Sequence, residues 1–378
     1  MAYSFEIGPN RPSSESNSLL IRVTRNRDWN RCKFCISNKG MAFEIRPVTE
    51  IKKDIATAKI MRDKILEITY KAGAAGGMQK VVGMVLKDPP NESFRNVALW
   101  LYGGGENVFL QDTNILAMKT EDLTQVLVYL KQTFPNIKRV TGYARSRTAA
   151  KKKHAELFQL HDAGLSQLYI DLESGYDPVL KYMNKGETAS DQVKGGRKVV
   201  ECGIALNEFV ILGLGGKDLS LPHSKNTAKV LNEINPKYIR VRTLIVNNKM
   251  PLHAEVAAGK FVRATDEEIV REERTLIENL VVNSRYLSNH VSNLLPELEG
   301  DLPKDKNKLL SIIDEFDKLA PEAKSNFMVG RRVGLYKTVK DMLDEQRHEL
   351  AEQIKFKLSK GSKKLDPGVI FNIMEEFK

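Results

Sequence analysis

Between residues 19 and 244 the chain alternates strand-like and helix-like segments six times, and this alternation restricts its fold more than any other feature. Apolar runs at 19–24, 107–111, 137–143, 167–171, 204–212 and 238–244 read as strands. Segments with helical periodicity lie between or after them, at 48–72, 92–102, 122–134, 148–163, 191–202 and 226–234. The first helix carries Ile51, Ile55, Ile60, Ile65 and Ile68, with Thr49 as its N-cap and the glycines of 73–77 as breakers. Strands joined by helical crossovers of this length run parallel. Residues Gly103, Gly104, Gly105 and Glu106 follow a helix and precede a strand, so they read as a helix C-terminal turn. Beyond about residue 260 the pattern changes to helices alone, at 267–281, 306–319 and 339–358.

A chain of 378 residues can bury a large core. No stretch approaches the roughly 18 apolar residues that cross a bilayer. The opening residues lack the charged and apolar regions of a signal peptide, so a cytoplasmic location without membrane association is expected. Three cysteines exclude a disulfide framework. A net charge of +11 suits an anionic partner such as nucleic acid or a phosphorylated substrate. Lysine-rich solvated helices give the same balance, and that is the preferred reading. The stretch 355–364 holds five lysines and no acid.

Cys32 and Cys35 stand three residues apart after the apolar run Leu19 to Val23. Such a pair lets two thiolates share one metal centre, and soft thiolates select zinc, copper(I) or iron–sulfur clusters. With Phe34 just before the second thiol, the segment 18–42 resembles the cluster loop of the radical S-adenosylmethionine (radical SAM) superfamily, in the branch spaced C-x4-C-x2-C. Cys32, Phe34 and Cys35 match the last three landmarks. Arg27 stands where the first cysteine falls.

The resemblance implies an α/β fold, a partial (β/α)6 TIM-like barrel over 18–255. An N-terminal arm (1–17) precedes it, and a helical C-terminal extension with a basic tail (256–378) follows. It implies a 4Fe–4S cluster on three thiolates, S-adenosylmethionine on the fourth iron, and an electron donor such as ferredoxin or flavodoxin. The implied activity is reductive cleavage of S-adenosylmethionine and hydrogen abstraction from a substrate the sequence does not name. Arg27 puts that activity in question, because a guanidinium stays protonated and offers no lone pair. Cys202 reads as a small buried residue rather than a replacement ligand. Two alternatives stay open: a degenerate, non-catalytic relative, and an RNA-binding or RNA-modifying protein carried by the basic tail.

The same resemblance singles out residues at the strand ends. Gln111, Asp112 and Asn114 would offer oxygens to the ammonium group of S-adenosylmethionine. Leu172-Glu173-Ser174-Gly175 resembles the family's G-x-E-S-G motif, with Glu173 reaching the ribose hydroxyls. A helix-capping role for Glu173 or Ser174 is the equal alternative. Tyr143 and Arg145 close the third strand. Arg242 shares a strand face with Arg240 and would grip the carboxylate, or else close a salt bridge at the barrel mouth. Gly213, in the turn after the fifth strand, would let backbone approach the adenine. Phe34 completes the cofactor-binding set, with Cys32 and Cys35 as metal ligands. His161, His223 and His290 read as structural.

Overall fold

The computed structural model describes residues 3–71, 77–359 and 366–375. The chain packs as two compact units, one of residues 1–30, 38–170 and 194–206, the other of residues 31–37, 171–193 and 207–378. A mostly parallel eight-stranded sheet runs in chain order. Its strands are β1 (Leu19–Arg22), β2 (Asn107–Gln111), β3 (Arg139–Ala144), β4 (Leu165–Glu173), β5 (Ala205–Leu212), β6 (Tyr238–Thr243), β7 (Arg285–Leu287) and β8 (Glu299–Asp301). The first six are the strands read from the sequence, each followed by a helical connection. This is the α/β order expected of a partial (β/α)6 barrel.

In the first unit β1 pairs with β2 in register Leu19 to Val108, and β2 with β3 in register Val108 to Val140, both parallel. The helix Val48–Lys71 packs through Ile51, Ile55, Ala58, Met61 and Ile65. Ile60 and Ile68, counted in the stripe from the sequence, are exposed instead. Ile60 lies half a turn from Ile51 on the opposite face, whereas Ile68, seven residues after Met61, keeps the phase of the stripe but sits in the last turn of the helix. The helix expected at 148–163 is two, Ser146–Lys151 and His154–Asp162. Lys152 and Lys153 are extended there, and the Lys153 N–H donates to the Glu156 carboxylate at 2.8 Å to start the second helix.

In the second unit β5 pairs with β6 and β6 with β7, again parallel, while β7 and β8 are antiparallel. These last two strands correct the expectation of helices alone beyond residue 260. At three residues each they are too short to show alternation in the sequence. The expected helix at 339–358 is broken at Asp344, whose carboxylate accepts from the Arg347 N–H at 3.1 Å and caps the helix Glu345–Leu358. Residues 360–364 of the basic tail lie outside the described residues.

Candidate cofactor site

In the second unit, Lys33 and Phe34 are the central residues of a turn bounded by Cys32 and Cys35. The turn is fastened on several sides. The Lys33 N–H donates to the Met183 carbonyl at 3.0 Å, and the Leu252 N–H donates to the Lys33 carbonyl at 2.9 Å. The Lys33 ammonium lies 3.1 Å from Glu255 and 4.1 Å from the centre of the Tyr182 ring. Phe34 packs on an apolar cluster that includes Met183, Leu214, Leu252 and Phe261. Both cysteines are half-buried.

The C-terminal end of β4 brings up charge. Glu173 is 3% exposed and adopts φ +65°, a left-handed conformation that a non-glycine residue rarely takes. Strain of this kind persists where the surroundings demand it and gathers at functional sites. Its carboxylate lies 4.0 Å from the buried ammonium of Lys185. Burial pulls the Lys185 pKa down, but Glu173, Glu187, Asp171 and Cys32 together outweigh burial and hold it above the usual lysine range. Glu208, in the middle of β5, is fully buried, and neither of its carboxylate oxygens has a hydrogen-bond partner among the described residues. Burial first, then Glu187 and Asp171, push its pKa well above the usual carboxylate range.

Lys185, Glu187, Asp171 and Glu208 are functional candidates that sequence reasoning missed. The signal for one was present: Asn207-Glu208 interrupts an otherwise apolar strand. Asp171 and Glu173 sit two apart, on one face of β4. Lys185 follows no periodic pattern, and its burial comes from tertiary packing.

Arg242 lies 5.2 Å over the Phe209 ring, with a guanidinium nitrogen 3.9 Å from Asp171. Ser174 and His223 share a hydrogen bond of 2.8 Å, and the other His223 nitrogen lies 3.1 Å from the Ile211 carbonyl. Burial lowers the His223 pKa to about 4, so the ring is neutral. Ser174 and His223 are sealed from solvent, so this pair fastens the turn after β4 and is closed to substrate. Gly213 has φ +77°, and a Cβ there would stand 2.5 Å from Ile269. Its N–H donates to Glu272 at 2.7 Å. His290 lies on the surface, 2.7 Å from Ser292.

In the first unit, Asp112 is gripped by Arg22 through two nitrogens, at 2.9 and 2.5 Å. Its other oxygen, Oδ1, has no hydrogen-bond partner among the described residues and lies where a side chain at Gly8 would stand. The Gln111 amide bonds the backbone of Gly8 and Asn10. The Asn114 amide nitrogen donates to Asp28 at 2.8 Å and Thr148 at 2.9 Å, and its buried Oδ1 has no hydrogen-bond partner among the described residues. Arg145 lies 3.6 Å from Asp28 and 5.4 Å from the centre of the Trp29 ring. Tyr143 belongs to an aromatic group with Phe109 and Tyr169. The glycines after the helix Glu92–Tyr102 do form its C-terminal turn, with Gly103, Gly104 and Gly105 donating back to Leu99, Leu101 and Trp100.

The donor set can be tested against the implied cluster. Three thiolates are needed, and the chain has three cysteines. Cys202 is buried in the first unit, where its thiol faces the His154 carbonyl at 3.6 Å. Among the described residues, no group of three or more His, Cys, Asp and Glu side chains could hold a metal ion. The residues present do not fit a three-thiolate cluster. No helix among the described residues is long and apolar enough to cross a membrane.

No protein-family model matches the chain, and no curated protein matches it. Solved structures do resemble it. The archaeal Elp3 from Methanocaldococcus infernus is 13% identical at a TM-score of 0.45, over 63% of this chain and 62% of that one. Methylornithine synthase (PylB) is 13% identical at 0.41, over 70% and 63%. The radical S-adenosylmethionine methyltransferase TsrM from Kitasatospora setae is 13% identical at 0.43, over 68% and 42%. The chain thus spans less than two thirds of the length of each of these structures. The functional reading rests on the residues of the chain itself.

Proposed function

We propose that this chain is a radical SAM superfamily protein that binds S-adenosylmethionine and whose iron–sulfur site is one thiolate short. The observation that carries the reading is the fastened Cys32–Cys35 turn in the same unit as the strained, buried Glu173. Nothing in the packing of a plain α/β core asks for two thiols, a buried ammonium and several buried carboxyls near one another. In this reading Glu173 meets the ribose hydroxyls and Arg242 the carboxylate.

The missing ligand sets the chemistry. Arg27 cannot replace a thiolate, so reductive cleavage of S-adenosylmethionine is expected to be absent or severely weakened in this chain. The test is iron and sulfide content with electron paramagnetic resonance after anaerobic reconstitution, beside Arg27→Cys. The expected result is well under a full complement in the unsubstituted chain and about four irons in the variant. About four irons in the unsubstituted chain would instead establish a working cluster with an outside ligand, and the full radical enzyme. Calorimetry with S-adenosylmethionine on cluster-free protein should show saturable heat, weakened by Glu173→Gln. No saturable heat would remove the nucleotide half of the proposal.

A further inference from the structure

With one ligand missing, the two remaining thiols have a second chemistry open to them. Cys32 and Cys35 bound a four-residue turn whose central residues are Lys33 and Phe34. A turn of this kind keeps its first and last Cα atoms within about 7 Å. That separation lies inside the range a disulfide spans, about 4.4–6.8 Å, or at its edge. The turn is held from outside by the Met183 carbonyl, the Leu252 N–H, the Lys33–Glu255 ion pair and the packing of Phe34. Holding the backbone in this way keeps the two sulfurs near each other and lowers the entropy lost when they join. Cys32 and Cys35 are both half-buried residues, whereas Cys202 is sealed at 1% exposure.

We infer that Cys32 and Cys35 form a reversible dithiol–disulfide couple that exchanges with low-molecular-weight disulfides. The inference rests on the incomplete cluster site proposed above. The exchange balances in two steps. One sulfur attacks the disulfide of oxidised glutathione, forming a mixed disulfide and releasing one glutathione thiolate. The second sulfur then displaces the other glutathione and closes the Cys32–Cys35 bond. Two electrons and two protons leave the protein, and two reduced glutathiones appear.

The experiment uses the full, metal-free chain in glutathione buffers of stepped ratio, quenched by alkylation and read by intact mass and peptide mapping. The expected product is lighter by two hydrogens, with the bond mapped to Cys32 and Cys35, reversed by dithiothreitol, and with Cys202 still reduced. In Cys35→Ser a stable glutathione adduct at Cys32 should replace it. Thiols that stay reduced in excess oxidised glutathione, or an unsubstituted chain that stops at the adduct, would overturn the couple. Iron content is measured on the same preparation after anaerobic reconstitution. No iron and no disulfide would sink the couple alone. A full cluster in the unsubstituted chain would sink the reading beneath it, and the couple with it.

Discussion

Glu272 and Glu273 lie side by side on the helix Asp266–Asn279, and both are buried. Burial lifts each pKa from 4.5 to about 7, against hydrogen bonds from Ser220 and Gly213 to Glu272 and from Tyr286 to Glu273. The sign of the consequence follows from proton counting. Below pH 4.5 folded and unfolded chains both hold these protons. Between 4.5 and 7 the unfolded chain loses them while the folded chain keeps them, so stability falls as pH rises through that window and stays low above it. Each carboxyl accounts for at most about 3 kcal/mol. The denaturation midpoint is therefore expected to drop between about pH 5 and about pH 8. Glu272→Gln with Glu273→Gln should flatten that slope and raise the midpoint at the upper end. An unchanged slope in the double variant would show that other groups carry it. Legibility at this scale was uneven. Cys32, Cys35 and Glu173 stand out in the sequence by type and spacing, whereas Lys185 and Glu208 became candidates only once their burial was known.

At the scale of the element, termini mattered more than interiors. Thr265 Oγ1 accepts from the Glu268 N–H at 3.3 Å, and Glu268 accepts from the Thr265 N–H at 2.9 Å, a reciprocal cap on the helix that carries Glu272. Thr265→Ala should lower stability by about 1 kcal/mol, and Thr265→Ser by much less. Chemical denaturation distinguishes the two, and equal losses would assign the effect to packing of the threonine methyl. Where the sequence reading failed, a cap sat inside a periodic run. The Lys153–Glu156 bond splits one expected helix and Asp344 splits another. Charged residues at such positions look like an exposed helix face until the backbone is seen to leave the helical region.

At the scale of the whole molecule, the last described helix, Pro367–Glu375, returns to the body of the second unit. Ile370 and Met374 are buried with Val329, Phe371 lies 3.8 Å from the Arg263 guanidinium, and Glu375 pairs with Arg263 at 3.2 Å. Truncation after Ser359 removes two buried apolar side chains worth roughly 1.5–3 kcal/mol each. It should lower the thermal midpoint clearly, and an unchanged midpoint would show the helix is undocked in solution.

The alternation of apolar runs and amphipathic helices determined the six parallel strands, because periodicity is local and each segment carries its own record of it. The cysteine spacing and the arginine before it were likewise written in the chain. Which carboxyls lose solvent, which lysine is drawn in among them and which acceptor oxygens go unpartnered were decided by tertiary packing alone. Those properties depend on residues far apart in sequence that remove water from one another, and no window of the sequence contains both partners.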